Sequence, residues 1–211
     1  MAKKTSPIDN LPPRRKAILA AAYDVLMEQG YAGASTLEIA TRAKVSKREL
    51  YAEFGSKSGI LEALIATTAA RMQVPLAPAE LADPAALAAA LTRYGATALT
   101  ELTHPAVLAI NRLAVAEAGA SPELGRILDQ QGREPNRKAL VLLFRRAQAA
   151  GFVGGGDPEQ MAGAFFSLLF GDLMLRLMLG VVPPPKRPEI QRRAELATQA
   201  VLELFRQRPP A

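Results

Sequence analysis

A chain of 211 residues carrying 26 Lys and Arg against 20 Asp and Glu, a formal charge of +6, is long enough for one ordinary domain or two small ones and for a sizeable apolar core. The composition is 49% hydrophobic but only 5% aromatic, with Ala and Leu prominent, which favours an all-α protein over a fibre or a disordered tail. The absence of Cys excludes disulfides and thiolate metal sites, and a single His makes no metal centre. Met1 to Asn10 is polar and basic, and no apolar run reaches the roughly 18 residues a spanning helix needs, so the expectation is a cytoplasmic protein without membrane association. The basic excess is uneven: Met1 to Ile60 holds ten Lys and Arg against six acids, the longer remainder sixteen against fourteen. A polyanionic partner at the N-terminal third fits that distribution.

After a basic arm with Lys3 and Lys4, Pro12-Pro13 opens a run in which Ile18, Leu19, Ala22, Val25 and Leu26 keep helical spacing to a stop at Gly30. Ser35 with Glu38 fits a capping box for a short second helix with Leu37, Ile39 and Ala40 on its apolar face, ending near Ala43. Ser46 with Glu49 is a second box, and a third helix runs through Leu50 and Tyr51 to Phe54, with Gly55 as stop and Ser56 as the next cap. A fourth helix extends to about Met72 and breaks at Pro75 to Pro78. Beyond it, Asp83-Pro84, His104-Pro105, Ser121-Pro122 and Asp157-Pro158 each place a proline in a first helical turn, where its missing N–H costs nothing. The spacing predicts helices over Pro84 to Leu102, Pro105 to Ala118, Pro122 to Ala150 with a kink near Arg133 before Pro135, Pro158 to Leu179, and about Pro188 to Gln207. That makes about nine helices and no strands.

Two short helices separated by Ala43 to Ser46 have the outline of a helix-turn-helix, whose second helix enters the major groove. Leu37, Ile39, Ala40, Val45 and Leu50 would hold the pair together and onto the first helix, leaving Lys47, Arg48, Tyr51 and Ala52 to face outward. The anchors Thr36, Ile39-Ala40, Ala43, Val45-Ser46, Leu50-Tyr51, Phe54, Ser56-Lys57 and Ile60-Leu61 keep a common spacing. Across Arg14 to Leu61 the sequence resembles the tetracycline-repressor (TetR) family of bacterial transcriptional regulators. The resemblance implies a three-helix DNA-binding domain over 1–57, a helical effector-binding and dimerisation domain over 58–211, and a ligand-responsive repressor that binds a palindromic operator in double-stranded DNA as a homodimer. It also implies that Thr36 and Lys57 contact phosphate, that Ser46, Lys47, Arg48 and Tyr51 lie on the recognition helix, and that Lys3, Lys4, Arg14 and Arg15 are weaker candidates. Lys44 stands where the family commonly has Gly, a position that calls for a left-handed backbone, and adds a candidate phosphate contact. Arg48, often a small residue in the family, is suited to bidentate reading of guanine. Tyr51 packs against the first helix or turns its hydroxyl to phosphate; both alternatives stand.

The stretch from Arg112 through Ala116-Glu117, Pro122-Glu123-Leu124 and Gly151-Phe152 to Asp157-Pro158 is similar to the C-terminal domain of the efflux and stress-response repressors of that family. Leu91, Leu108, Phe144, Phe165 and Phe166, with Tyr94, Asn111 and Arg112 as polar fixtures, are candidate lining for a largely apolar effector, or plain core. The last two helices, with Leu196, Val201, Leu202, Leu204 and Phe205, offer apolar faces for a dimeric four-helix bundle or for burial within one subunit. Asp172 and Arg176 form an ion pair within their helix or a contact across subunits. His104 is expected in a turn or cap. No nucleophile with a base, paired carboxylates or metal set is recognisable, no cofactor is called for, and Gly154 to Gly156 is a linker, so an enzyme is not expected. The rival reading is an all-α small-molecule or lipid carrier without specific DNA binding, which would lack a steep salt dependence on duplex DNA.

Overall fold

The computed structural model describes residues 11–70, 82–120 and 122–206, all of them in helices or the turns between. The arm with Lys3 and Lys4, the break expected at Pro75 to Pro78, the Ser121 cap and Gln207 lie outside the described residues. The α-helices are α1 (Pro13–Gly33), α2 (Thr36–Arg42), α3 (Lys47–Phe54), α4 (Lys57–Ala69), α5 (Pro84–Leu102), α6 (Pro105–Glu117), α7 (Glu123–Ile127), α8 (Glu134–Ala149), α9 (Pro158–Phe170), α10 (Leu173–Met178) and α11 (Arg187–Leu204). A π-helical turn, Leu128–Arg133, joins α7 to α8.

Where a start signal is local, the helix starts there. Asp83 accepts from the Ala86 N–H, Asp157 from Glu159 and Ser56 from Gly59, each satisfying one orphan donor of a first turn. His104 Nδ1 accepts from the Ala106 N–H at 3.3 Å, the capping role expected of it.

Two expected helices are each divided. Pro135 has no N–H to return to the carbonyl four residues back, and the ladder ahead of it widens: Glu134 donates to the Asp129 carbonyl, five residues back. The kink expected near Arg133 is thus a whole π turn. The helix expected to run from Pro158 to Leu179 breaks at Gly171, where φ 48 and ψ −128 leave the helical region after its N–H has closed on Ser167. Asp172 and Arg176 follow the break and form a long, exposed intrahelical pair at 3.8 Å.

The chain divides into two compact units, Met1–Arg71 with Ala109–Glu134, and Met72–Leu108 with Pro135–Ala211. Packing therefore groups α4, most of α6, α7 and the π turn with α1 to α3, so the unit limits differ from the functional division expected after Lys57. The core of the first unit is Ile18, Val25, Leu26, Ile39, Leu50, Ile60, Leu61, Ile110, Leu124 and their neighbours. In the second, α5, α8, α9 and α11 enclose Leu87, Leu91, Tyr94, Leu140, Phe144, Phe165, Ala194 and Val201. Tyr94 donates its hydroxyl to the Asn136 carbonyl at 3.0 Å, and burial pushes its ionisation well above the ordinary range.

Candidate nucleic-acid interface

The two short helices sit on α1 through their buried faces. Ile39, Ala40 and Leu50 are closed off from solvent, and Val45 packs partly buried beside them. Leu37, expected among these, is 61% exposed. At about 100° per residue it lies about 200° around α2 from Ile39, off the stripe that faces α1.

The turn between α2 and α3 closes as a Schellman motif. Val45 donates to the Ala40 carbonyl at 3.0 Å and Lys44 to Thr41 at 3.1 Å. Such a turn needs one left-handed residue, and that residue is Lys44, at φ 54. The exposed Lys44 side chain is thereby turned out at the end of α2.

Helix α3 is held at its first turn by the expected box. The Ser46 N–H and hydroxyl both donate to Glu49 Oε2 at 2.8 Å, and the Glu49 N–H returns to Ser46 Oγ at 3.2 Å. These bonds, with Arg14 at 2.6 Å, hold the Glu49 carboxyl below the usual carboxylate range, the Ser46 backbone contributing most. The single hydroxyl proton of Ser46 is committed to this cap. The box expected of Ser35 and Glu38 does not form: Ser35 accepts from Leu37, while Glu38 is taken by Arg42, a charge-assisted contact of 2.8 Å. Arg42 also forks onto Glu28 at 2.7 and 2.6 Å, which fastens α2 to α1 and draws the Glu28 carboxyl down.

Arg14 and Arg15 serve α3 from the side. Arg15 meets Glu53 at 3.1 Å and lies 4.7 Å from the centre of the Phe54 ring. Both arginines thus neutralise acids of α3. What remains outward on α3 is Lys47, Arg48, Tyr51 and Ala52, with Lys44 in the turn before it. Arg48 has no hydrogen-bond or ion-pair partner among the described residues. Lys47 lies 5.8 Å from the Tyr51 ring centre.

Tyr51 is 39% exposed, and its hydroxyl lies 3.0 Å from Thr36 Oγ1. One hydroxyl proton of the pair is used between them, leaving the other for an acceptor such as a phosphate oxygen. Lys57, at the start of α4, points its ammonium back at the end of α1: Nζ donates to the Tyr31 carbonyl at 2.5 Å, lies 3.4 Å from that of Ala32, and sits 4.5 Å from the Tyr31 ring centre.

The eight candidate effector residues are divided between the two units. Leu91, Tyr94, Leu108, Phe144 and Phe165 belong to the closed core of the second unit, at 0 to 3% exposure. Phe166 is half-buried at its edge, stacked on Phe170 at 5.9 Å between ring centres. Asn111 and Arg112 fall in the first unit. Among the described residues no group of His, Cys, Asp and Glu is placed to hold a metal ion, and no helix is long and apolar enough to cross a membrane.

Residues 18–64 match the family described as bacterial regulatory proteins, tetR family, and residues 89–207, more than half the chain, match the C-terminal domain of AefR-like transcriptional repressors. The chain belongs to the TetR family. It is a helix-turn-helix transcriptional regulator of that family, which decides against the carrier reading. It is 26% identical over 191 residues to YvkB of Bacillus subtilis strain 168, an uncharacterized HTH-type transcriptional regulator, covering 90% of this chain and 97% of that one. Among solved structures, a TetR regulator from Agrobacterium tumefaciens superposes with a TM-score of 0.75 at 29% identity, over 92% of this chain and 95% of the other. The flavonoid-responsive regulator FrrA does so with a TM-score of 0.74 at 27% identity, over 93% and 98%. These likenesses run through both units and not the helix-turn-helix alone.

Proposed function

We propose that this TetR-family regulator binds a two-fold operator as a homodimer in the cytoplasm, and that residues 1–57 read the DNA while 58–211 carry the dimer contact and the effector site. Lys47 and Arg48 enter the major groove, Arg48 making the base contact. Thr36 with Tyr51, Lys44 and Lys57 bind phosphates, and Ser46 contributes as the cap that fixes the start of α3. The observation that carries this reading is the side-chain division of α3: Leu50 beneath, acids taken up by Arg14 and Arg15, and Lys47 and Arg48 exposed beside the hydroxyl pair. Catalysis has no part in it.

The dimer contact is assigned to α9, α10 and α11. Leu168, Leu175, Leu179, Leu196 and Leu204 are exposed there, an apolar display that a partner subunit would cover. Two subunits then place two α3 helices on half-sites a helical repeat or a multiple of it apart. The effector is a largely apolar, aromatic molecule. Support comes from the cluster of Tyr94, Phe165, Phe166 and Phe170 in the second unit and from the name of FrrA, which describes that relative as flavonoid-responsive. Because the inner candidates are closed off, such a molecule enters by displacing side chains around Phe166.

The test is binding of the purified protein to duplex DNA from upstream of its own gene against a scrambled duplex, titrated across salt. A preference of about a thousandfold is expected. Equal affinity for both duplexes would overturn operator recognition at that locus.

A further inference from the structure

Gly30 lies inside the span of α1 but has φ 72 and ψ 175, so the helix is interrupted there and the Tyr31 N–H has no helical acceptor. The acceptor comes from 86 residues further along the chain: the Glu117 carboxylate, at the end of α6, takes the Tyr31 N–H with Oε1 at 3.0 Å and Oε2 at 3.1 Å. The approach is so close that a Cβ at position 30 would overlap Glu117 Oε1. Glycine is required here for its backbone angle, and a Cβ would also push the carboxylate tip aside.

Tyr31 is also where Lys57 is anchored, by carbonyl and by ring. Its hydroxyl lies 3.5 Å from Ser58 Oγ, and Ser58 donates to the Glu123 carboxylate of α7. One residue thus joins α1, α4, α6 and α7 through Lys57, Ser58, Glu117 and Glu123, residues that all belong to the first unit. An ammonium has three protons. The Tyr31 and Ala32 carbonyls occupy two, and the ring beneath restricts the long stem, leaving one N–H for an outside acceptor.

We infer that Glu117 is a positioning residue for operator binding: by holding the Tyr31 backbone at the Gly30 break it sets the place and direction of the Lys57 ammonium. This rests on the reading of Lys57 as a phosphate contact. A lysine already fixed on Tyr31 loses less conformational freedom when it meets a phosphate than a free surface lysine does, and that advantage depends on Tyr31 being fixed itself.

The experiment is a double-mutant cycle, Lys57→Ala, Glu117→Ala and both, read as operator affinity and as its salt slope, with melting temperature recorded for each protein. Each single variant is expected to weaken binding about tenfold, the scale of a hydrogen bond to a charged group. Each is expected to flatten the slope by about 0.9 per bound subunit, because one phosphate is no longer neutralised. The double variant should fall no further than either single. Glu117→Gln keeps one acceptor for the Tyr31 N–H and should restore most of the slope; it carries the cycle if Glu117→Ala does not fold. A Glu117 variant that melts lower but keeps the wild-type slope would show a purely structural carboxylate and overturn the inference. Additive losses in the double variant would do the same. An unchanged slope in Lys57→Ala alone would remove the phosphate contact, and the inference with it.

Discussion

Replacing Lys44 by glycine should move stability and DNA affinity in opposite directions. Lys44 closes the Schellman turn at φ 54, a conformation that costs a residue with a Cβ about 1 to 2 kcal/mol. Glycine removes that cost but returns about 0.4 to 1 kcal/mol through the greater freedom of the unfolded chain, so the net gain, from the middle of both ranges, is about 0.8 kcal/mol. For a chain of this size that raises the melting temperature by about 1 to 4 °C, measurable by circular dichroism. The ammonium is removed at the same time. If Lys44 meets a phosphate, log affinity against log salt flattens by about 0.9 per bound subunit, measurable by fluorescence anisotropy on an operator duplex. Lys44→Ala separates the effects, keeping the strained backbone without the charge: the slope should flatten with no gain in melting temperature. A lower melting temperature for Lys44→Gly would refute the strain argument, and an unchanged slope in both variants would refute the phosphate contact.

Arg48→Ala should weaken operator binding by about 1 to 3 kcal/mol and relax selection at one base position, read by a panel of single-base operator variants; equal weakening on every sequence would make Arg48 a backbone contact. Glu49 ionises below its ordinary value of 4.5 because Ser46 and Arg14 bond its charged form. A depressed folded-state value contributes stability that is present above the unfolded value and lost as pH falls through the folded one. Glu49→Gln should therefore melt below wild type at neutral pH, and the gap should close under acid, below about pH 4.5; a gap independent of pH would assign the effect to packing. Leu175→Lys with Leu204→Lys should convert a dimer into a monomer by light scattering and lose cooperative operator binding, and a retained dimer would move the interface elsewhere.

The helix starts were legible because their signals are local. Asp83, Asp157 and the Ser46–Glu49 box lie within three residues of the donors they satisfy, so order in the chain is order in space. The outward face of α3 was legible for a related reason, since Leu50 inside and Lys47 and Arg48 outside follow from helical period. Leu37 was misplaced because an apolar type says nothing of its angle about a helix of only seven residues. Gly171 gave no warning of a break inside an apolar run, and Pro135 announced a kink without telling whether the helix would bend or widen. Glu117 entered the sequence reading only as part of the C-terminal resemblance, with no signal of its contact: its partner is a backbone N–H exposed by the Gly30 interruption 86 residues earlier, a relation that only the fold creates. That Lys57 lies half-buried against Tyr31 was not legible either, because its anchor is a backbone carbonyl 26 residues earlier that its long stem reaches only in the folded chain.

The first unit is assembled from two stretches of chain with residues 72–108 between them, and that has a consequence for biosynthesis and for dissection. A nascent chain that has emerged only through α4 has α1 to α3 in hand but lacks Ile110, Ala114, Leu124 and Ile127, which close its core. The ribosome must deliver residue 134 before the unit can complete itself, and the intervening stretch must be looped out at an entropic cost that grows only slowly with its length. The helix-turn-helix is therefore not a module to be cut out after α4: a fragment ending there would expose the apolar face of α4 and leave the Tyr31 N–H without its carboxylate.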